Sequence, residues 1–210
     1  MTTVYLIRHS IKEKNYGVFD CDDSSQVKNE KQVLSCEGEE KARILSMHLE
    51  LQNIDVLWSS NYVRAIQTAK YIGSRNLIPV NISSSFDERH YGTFKNDVEK
   101  EEFWIRQFID CNLKNEYGES QVDVCNRMTK KIEEFLDIYK NKRIAIVCHN
   151  ACILFYLLQY CELVDAKVRK KLTICFRGKT IILDDIMESP SIMKLEFDDK
   201  QLVNLSYIRI

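Results

Sequence analysis

Apolar and polar residues follow two different spacings along this chain. Val4–Ile7, Asp55–Trp58 and Ile144–Cys148 are short, largely apolar runs, as strands buried on both faces would be. Between them, apolar residues recur at helical spacing. Ala42, Leu45 and Leu49 form one such set, and Ala65, Ala69 and Ile72 another. The cleanest amphipathic stripe is Val124, Met128, Ile132, Phe135 and Tyr139. Ser35, followed by Glu37, Glu39 and Glu40, reads as a helix start, with acids near the positive end of the helix dipole. Strands alternating with helices imply βα units and a mainly parallel sheet, so the class expected is α/β in a single domain spanning 1–210. Ile192–Phe197 and Gln201–Ile208 flank Asp198-Asp199-Lys200 and read as a C-terminal hairpin, with a further turn at Arg177-Gly178-Lys179. Residues 83–120 fit the alternation least. They carry Glu88, several aromatics and a helix-like piece around Val98–Phe108, and read as a cap insertion able to cover a cleft.

Composition narrows the partners. Thirty Lys and Arg stand against 31 Asp and Glu, a formal net charge of −1, which argues against a nucleic-acid or polybasic membrane footprint. Arg169-Lys170-Lys171 is read as a solvated helix end. The longest apolar run, Ala151–Leu158, falls far short of the roughly 18 residues of a spanning helix. With no secretory pattern at Met1–His9, a cytoplasmic protein is expected. The eight cysteines show neither Cys-x-x-Cys spacing nor clustering with histidines, so they read as small apolar residues. No metal and no cofactor are expected. Oligomeric state is not legible.

The chemistry should lie at one edge of the sheet, because open parallel sheets bind ligands beyond the carboxyl ends of their strands. The first strand ends in Arg8-His9, the second runs into Ser59-Ser60 and a helix carrying Arg64, and the Ile144–Cys148 strand ends in His149. A guanidinium pair suits a phosphate dianion, since arginine offers planar, charge-assisted, bidentate donors. The N–H groups of a helix starting after His149 would add anion-binding capacity. Taken singly, these residues have ordinary readings as a surface salt bridge, an exposed helix arginine and a capping histidine. Their shared position at one end of the deduced sheet favours the joint reading.

Leu6-Ile7-Arg8-His9-Ser10 resembles the Leu-x-Arg-His-Gly signature of the histidine phosphatase superfamily, the phosphoglycerate mutase-like proteins. In the same order, Leu34-Ser35-x-x-Gly38-x-x-x-Ala42, Ser59-Ser60-x-x-x-Arg64-Ala65-x-Gln67-Thr68-Ala69 and Phe86-Asp87-Glu88-Arg89-His90-Tyr91-Gly92 resemble later family motifs. So do Gly118-Glu119-Ser120 with Arg127, and Val147-Cys148-His149-Asn150-Ala151. The resemblance covers about residues 3–160. Three departures stand out: Ser10 replaces a usual Gly, Cys148 a Ser and Asn150 a Gly.

The resemblance implies a three-layer α/β sandwich with a mainly parallel central sheet, and catalysis through a phosphohistidine. His9 would be the nucleophile, Arg8, Arg64 and His149 the phosphoryl holders, and Glu88 the proton donor. Asn15, Ser10, Arg89 and Asn150 would contact the substrate, a small phosphorylated metabolite. His90, Tyr91 and Lys95 are further candidates for the leaving group. Hydrolysis is the favoured reading. A phosphoglycerate mutase and a non-catalytic binder of phosphorylated ligands remain the alternatives.

Overall fold

The structure is a computed structural model that describes residues 1–14, 25–167, 171–185 and 187–210. Its strands are β1 (Thr2–Arg8), β2 (Val56–Ser59), β3 (Val80–Ile82), β4 (Arg143–Cys148), β5 (Glu162–Lys167), β6 (Lys171–Phe176), β7 (Lys179–Asp185), β8 (Ser191–Asp198) and β9 (Gln201–Arg209). Its α-helices are α1 (Ser25–Lys31), α2 (Cys36–Ser46), α3 (Val63–Asn76), α4 (Asp97–Arg106), α5 (Gln121–Ile138) and α6 (Asn150–Leu157).

The main sheet has the order β3-β2-β4-β1-β8-β9. The first four strands run parallel, while β8 and β9 form the antiparallel C-terminal hairpin. Side-chain alternation sorts the core into two layers. Val4, Leu6, Ile144 and Ile146 point toward Val124, Met128, Ile132 and Phe135 of α5 and toward α6. Tyr5, Ile7, Ala145 and Val147 point the other way, onto Leu45 of α2 and Ala65, Ala69 and Ile72 of α3. Helices on both faces explain why β1 and β4 read as unbroken apolar runs. Fully burying one side chain such as Phe135 is worth about 1.5–3 kcal/mol. This is the three-layer α/β sandwich expected from the sequence.

A second, antiparallel sheet of order β5-β6-β7 packs Leu172, Ile174, Phe176 and Ile182 against the same cluster as α6. Covered on several sides, α6 is buried at every position from Ala151 to Leu157. The basic run expected at a helix end is placed differently. Lys171 opens β6, and Arg169 and Lys170 lie outside the described residues. Register shifts in both strand pairs of this sheet blur the period-two signal that would have marked it.

One close approach shapes the edge where the strands end. The chain leaving β1 crosses the start of α2, where Ser35 N donates to Ile11 O at 3.0 Å and Ser35 Oγ accepts from Gly38 N at 3.0 Å. A Cβ on Gly38 would sit 1.9 Å from Ile11 O, so only glycine lets the two segments meet.

Candidate active site

β1, β4 and β2 are parallel neighbours, so their carboxyl ends open on one edge. Backbone bonds join those ends directly: His9 N donates to Cys148 O and Ser60 N to Val147 O, both at 3.0 Å. Arg8, His9, Ser60 and His149 are thereby held by the sheet itself.

His9 is 7% exposed and His149 fully buried, with ring centroids 5.0 Å apart and edge to face. His9 Nδ1–H donates to the carbonyl of Ser10 at 2.6 Å, which leaves Nε2 with the lone pair. Arg64 Nε donates to that Nε2 at 3.1 Å, and an Arg64 terminal nitrogen donates to His149 Nδ1 at 3.3 Å. The other ring nitrogen of His149 then carries a proton and donates to Ser60 Oγ at 2.7 Å. Burial pulls the pKa of each imidazole well below its ordinary value. The Arg64 guanidinium adds to this at His9, and His9 and then Arg64 do so at His149. Both rings are therefore neutral, and His9 has the free base form a nucleophile needs.

Arg8 and Arg64 flank this pair. Each hands a donor to a main-chain carbonyl: Arg8 to Met187 O and Arg64 to Asn29 O. Burial pulls both guanidinium pKa values down, while the Glu88 carboxylate pushes them back up, so its charge reaches both arginines. The Glu88 carboxylate lies on the N-terminus of α6. Its Oε1 accepts from Cys152 N at 3.2 Å and Arg89 N at 3.0 Å, and its Oε2 accepts from Ala151 N at 3.4 Å. The N–H groups expected to meet the substrate anion are thus engaged by Glu88 instead, a charge-assisted pairing with the positive helix end.

The remaining expected residues divide. Ser10 contributes through its backbone, accepting from His9 and donating from N to Thr68 Oγ1 at 3.0 Å; its buried hydroxyl has no hydrogen-bond partner among the described residues. Asn150 is half-buried at the first position of α6. Asn15 lies outside the described residues. Arg89 is a correction. It is fully buried and turned into the base of the cap, donating to Glu119 O, Leu113 O and Gln107 Oε1 beneath the rings of Phe103 and Phe155. Each of its three nitrogens donates to an acceptor in the 83–120 segment, and the whole side chain is shut away from solvent.

Four residues had no assigned role from sequence. Ser60 fixes the His149 tautomer, Thr68 holds Ser10 N, and Arg127 with Glu119 grips the Glu88 loop. All of them fall inside the quoted motifs, which was the available signal. Between α1 and the cap lies a cavity of about 510 Å³, lined by Asn29, His90, Tyr91, Phe94 and Lys100 among others. Among the described residues, no group of three acids, histidines or cysteines is placed to hold a metal ion.

Two neutral imidazoles and two guanidiniums surround one small space with a carboxylate beside them, an arrangement of donors suited to a small anion. Residues 4–174 match the histidine phosphatase superfamily (branch 1). The chain belongs to that superfamily and is a phosphoric monoester hydrolase. It is 25% identical over 182 residues to phosphoserine phosphatase 1 of Hydrogenobacter thermophilus, covering 81% of this chain and 80% of that protein. A phosphoserine phosphatase mutant from Entamoeba histolytica, solved with phosphoserine, superposes with a TM-score of 0.69 at 17% identity, covering 99% of this chain and 97% of that one. A mycobacterial glucosyl-3-phosphoglycerate phosphatase gives 0.66 at 16% identity, covering 98% and 96%. No helix among the described residues is long and apolar enough to cross a membrane.

Proposed function

We propose that this protein hydrolyses a small phosphorylated metabolite through a phosphohistidine on His9, with Glu88 as proton donor. The observation that carries the reading is the fixed tautomer of His9, whose Nε2 lone pair faces Arg64 beside a second neutral imidazole. In the first step His9 Nε2 forms a bond to phosphorus as the ester P–O bond breaks. The departing oxygen takes the Glu88 proton. Arg8, Arg64 and His149 hold the three non-bridging oxygens, supplying stabilisation that grows as charge develops. In the second step the Glu88 carboxylate takes a proton from water, the hydroxyl oxygen bonds to phosphorus, and the P–N bond breaks to release phosphate and restore His9.

The leaving group lies toward the cavity beside His90, Tyr91 and Lys100, two to twelve positions along the chain from Glu88. Phosphoserine and glucosyl-3-phosphoglycerate, named for the relatives, are small esters of this kind and are the first substrates to test. The test is phosphate release from an aryl phosphate in the presence of a chelator, followed by mass analysis of acid-labile phosphate on quenched protein. Turnover with phosphate recovered on His9, and none in His9→Ala, is the expected result. Full activity in His9→Ala overturns the reading.

A further inference from the structure

The acid loop is held by a pair of residues that never touch the acid. Arg127, on α5, donates to the carbonyl of Ser85 at 2.8 Å and to that of Asp87 at 2.8 Å. It also donates to both oxygens of Glu119, from Nε at 2.8 Å and from a terminal nitrogen at 3.1 Å. Glu119 in turn accepts from His90 N at 3.0 Å, and its own N donates to His90 O at 2.7 Å. The chain is therefore fixed at 85, 87 and 90, on both sides of Glu88, by one bidentate ion pair. Arg127 and Glu119 are about one-fifth and one-quarter exposed. Burial opposes the charge of Glu119, yet Arg127 and the His90 N–H outweigh it and hold the carboxyl below its usual range. The pair is thus ionised throughout the range in which a phosphatase works.

This goes further than anchoring a loop, because of where the fixed chain aims Glu88. Among the described residues, the Glu88 carboxylate accepts hydrogen bonds from backbone N–H groups alone: its neighbour Arg89 and the first turn of α6. None of the described side chains is hydrogen-bonded to it to set its direction. Its position relative to Arg8 and Arg64 is inherited from the main chain at 87 and 89, and that chain is set by Arg127.

We infer that Arg127, seated by Glu119, is the positioning residue for the Glu88 proton donor. The inference rests on Glu88 being that donor. General-acid help matters most when the departing oxygen is a poor leaving group and least when it is a stable phenolate, because only the former needs a proton in the transition state. Loss of Arg127 should therefore act selectively across leaving groups, whereas generalised loosening would slow every ester alike.

The experiment compares wild type, Arg127→Ala, Arg127→Lys, Glu119→Gln and Glu88→Gln on 2,4-dinitrophenyl, phenyl and alkyl phosphates. Arg127→Ala should lower kcat on the alkyl ester about 100-fold and on the dinitrophenyl ester less than about threefold, the same slope as Glu88→Gln. Arg127→Lys, able to reach one carbonyl but not two, should fall between. If Arg127→Ala does not fold, Glu119→Gln carries the test, since it removes the ion pair and leaves both carbonyl contacts possible. Equal loss on all three esters, or none, overturns the positioning role. A Glu88→Gln enzyme without leaving-group selectivity overturns the acid role first, and with it this inference.

Discussion

The rim of the sheet and the 83–120 segment differ in what positions their side chains. At the rim, His9, Ser60 and His149 each sit one residue past a strand end, and backbone bonds between adjacent strands fix the first two: His9 to Cys148, Ser60 to Val147. In the 83–120 segment, side chains add to the local backbone bonds. Arg89 ties Gln107, Leu113 and Glu119 together, and Phe94 and Phe103 stack edge to face at 5.4 Å. Side chains at the sheet edge are placed by the strand order, while those of the 83–120 segment depend on a few replaceable contacts. Substitutions at the rim should therefore abolish turnover with the fold intact, and substitutions in the cap should alter stability or substrate choice.

The largest effect expected is at the rim. Arg64→Ala removes donors to both imidazoles at once and should lower kcat/KM by about 10³-fold or more, measured by steady-state phosphate release on protein that still unfolds cooperatively. A loss confined to stability would break the comparison. In the cap, Arg89→Met should destabilise by about 2–4 kcal/mol in denaturant titration, because it leaves buried acceptors unpaired. The substrate profile of the remaining folded enzyme should be unchanged. A selective rise in KM for one substrate would instead return Arg89 to the leaving-group pocket. Smaller still, Lys100→Ala at the cavity mouth should shift KM by less than about tenfold without moving stability, as expected for an exposed charge.

The smallest effect concerns Asp87, where the two regions meet. Its carboxylate accepts from Asn61 N at 2.7 Å, and burial raises its pKa to about 6, against the lowering pull of Arg127 and His90 and with a small push from Glu30. The folded value lies above the unfolded one, about 3.9. The native state thus keeps a proton that the unfolded chain has released. This contribution is complete below about pH 4 and is lost as pH rises through 6. Relative to wild type, Asp87→Asn should gain a few degrees in thermal midpoint between pH 4.5 and pH 7. A difference that does not change with pH would remove the shifted pKa.

The same contrast governs what could be read from the sequence. His9, Arg8, Arg64 and His149 were legible because a parallel sheet puts strand ends on one edge, so their neighbourhood follows from the order of elements alone. Arg89 was misplaced because local spacing does not say whether a guanidinium beside Glu88 turns out toward the substrate or in toward Gln107. The grip of Arg127 on residues 85 and 87 spans about forty positions and ends on carbonyls, which leave no mark on side-chain pattern. The β5-β6-β7 sheet escaped because its registers shift, which blurs the alternation along its strands.

Two backbone oxygens, those of Asn29 and Met187, already occupy donors on Arg64 and Arg8. An ester arriving there would compete with them, and part of its attraction would go into freeing the two guanidiniums. The exchange works equally in the other direction. As a dianion left, the same two carbonyls would take back the freed donors, which would ease its release from so positive a pocket.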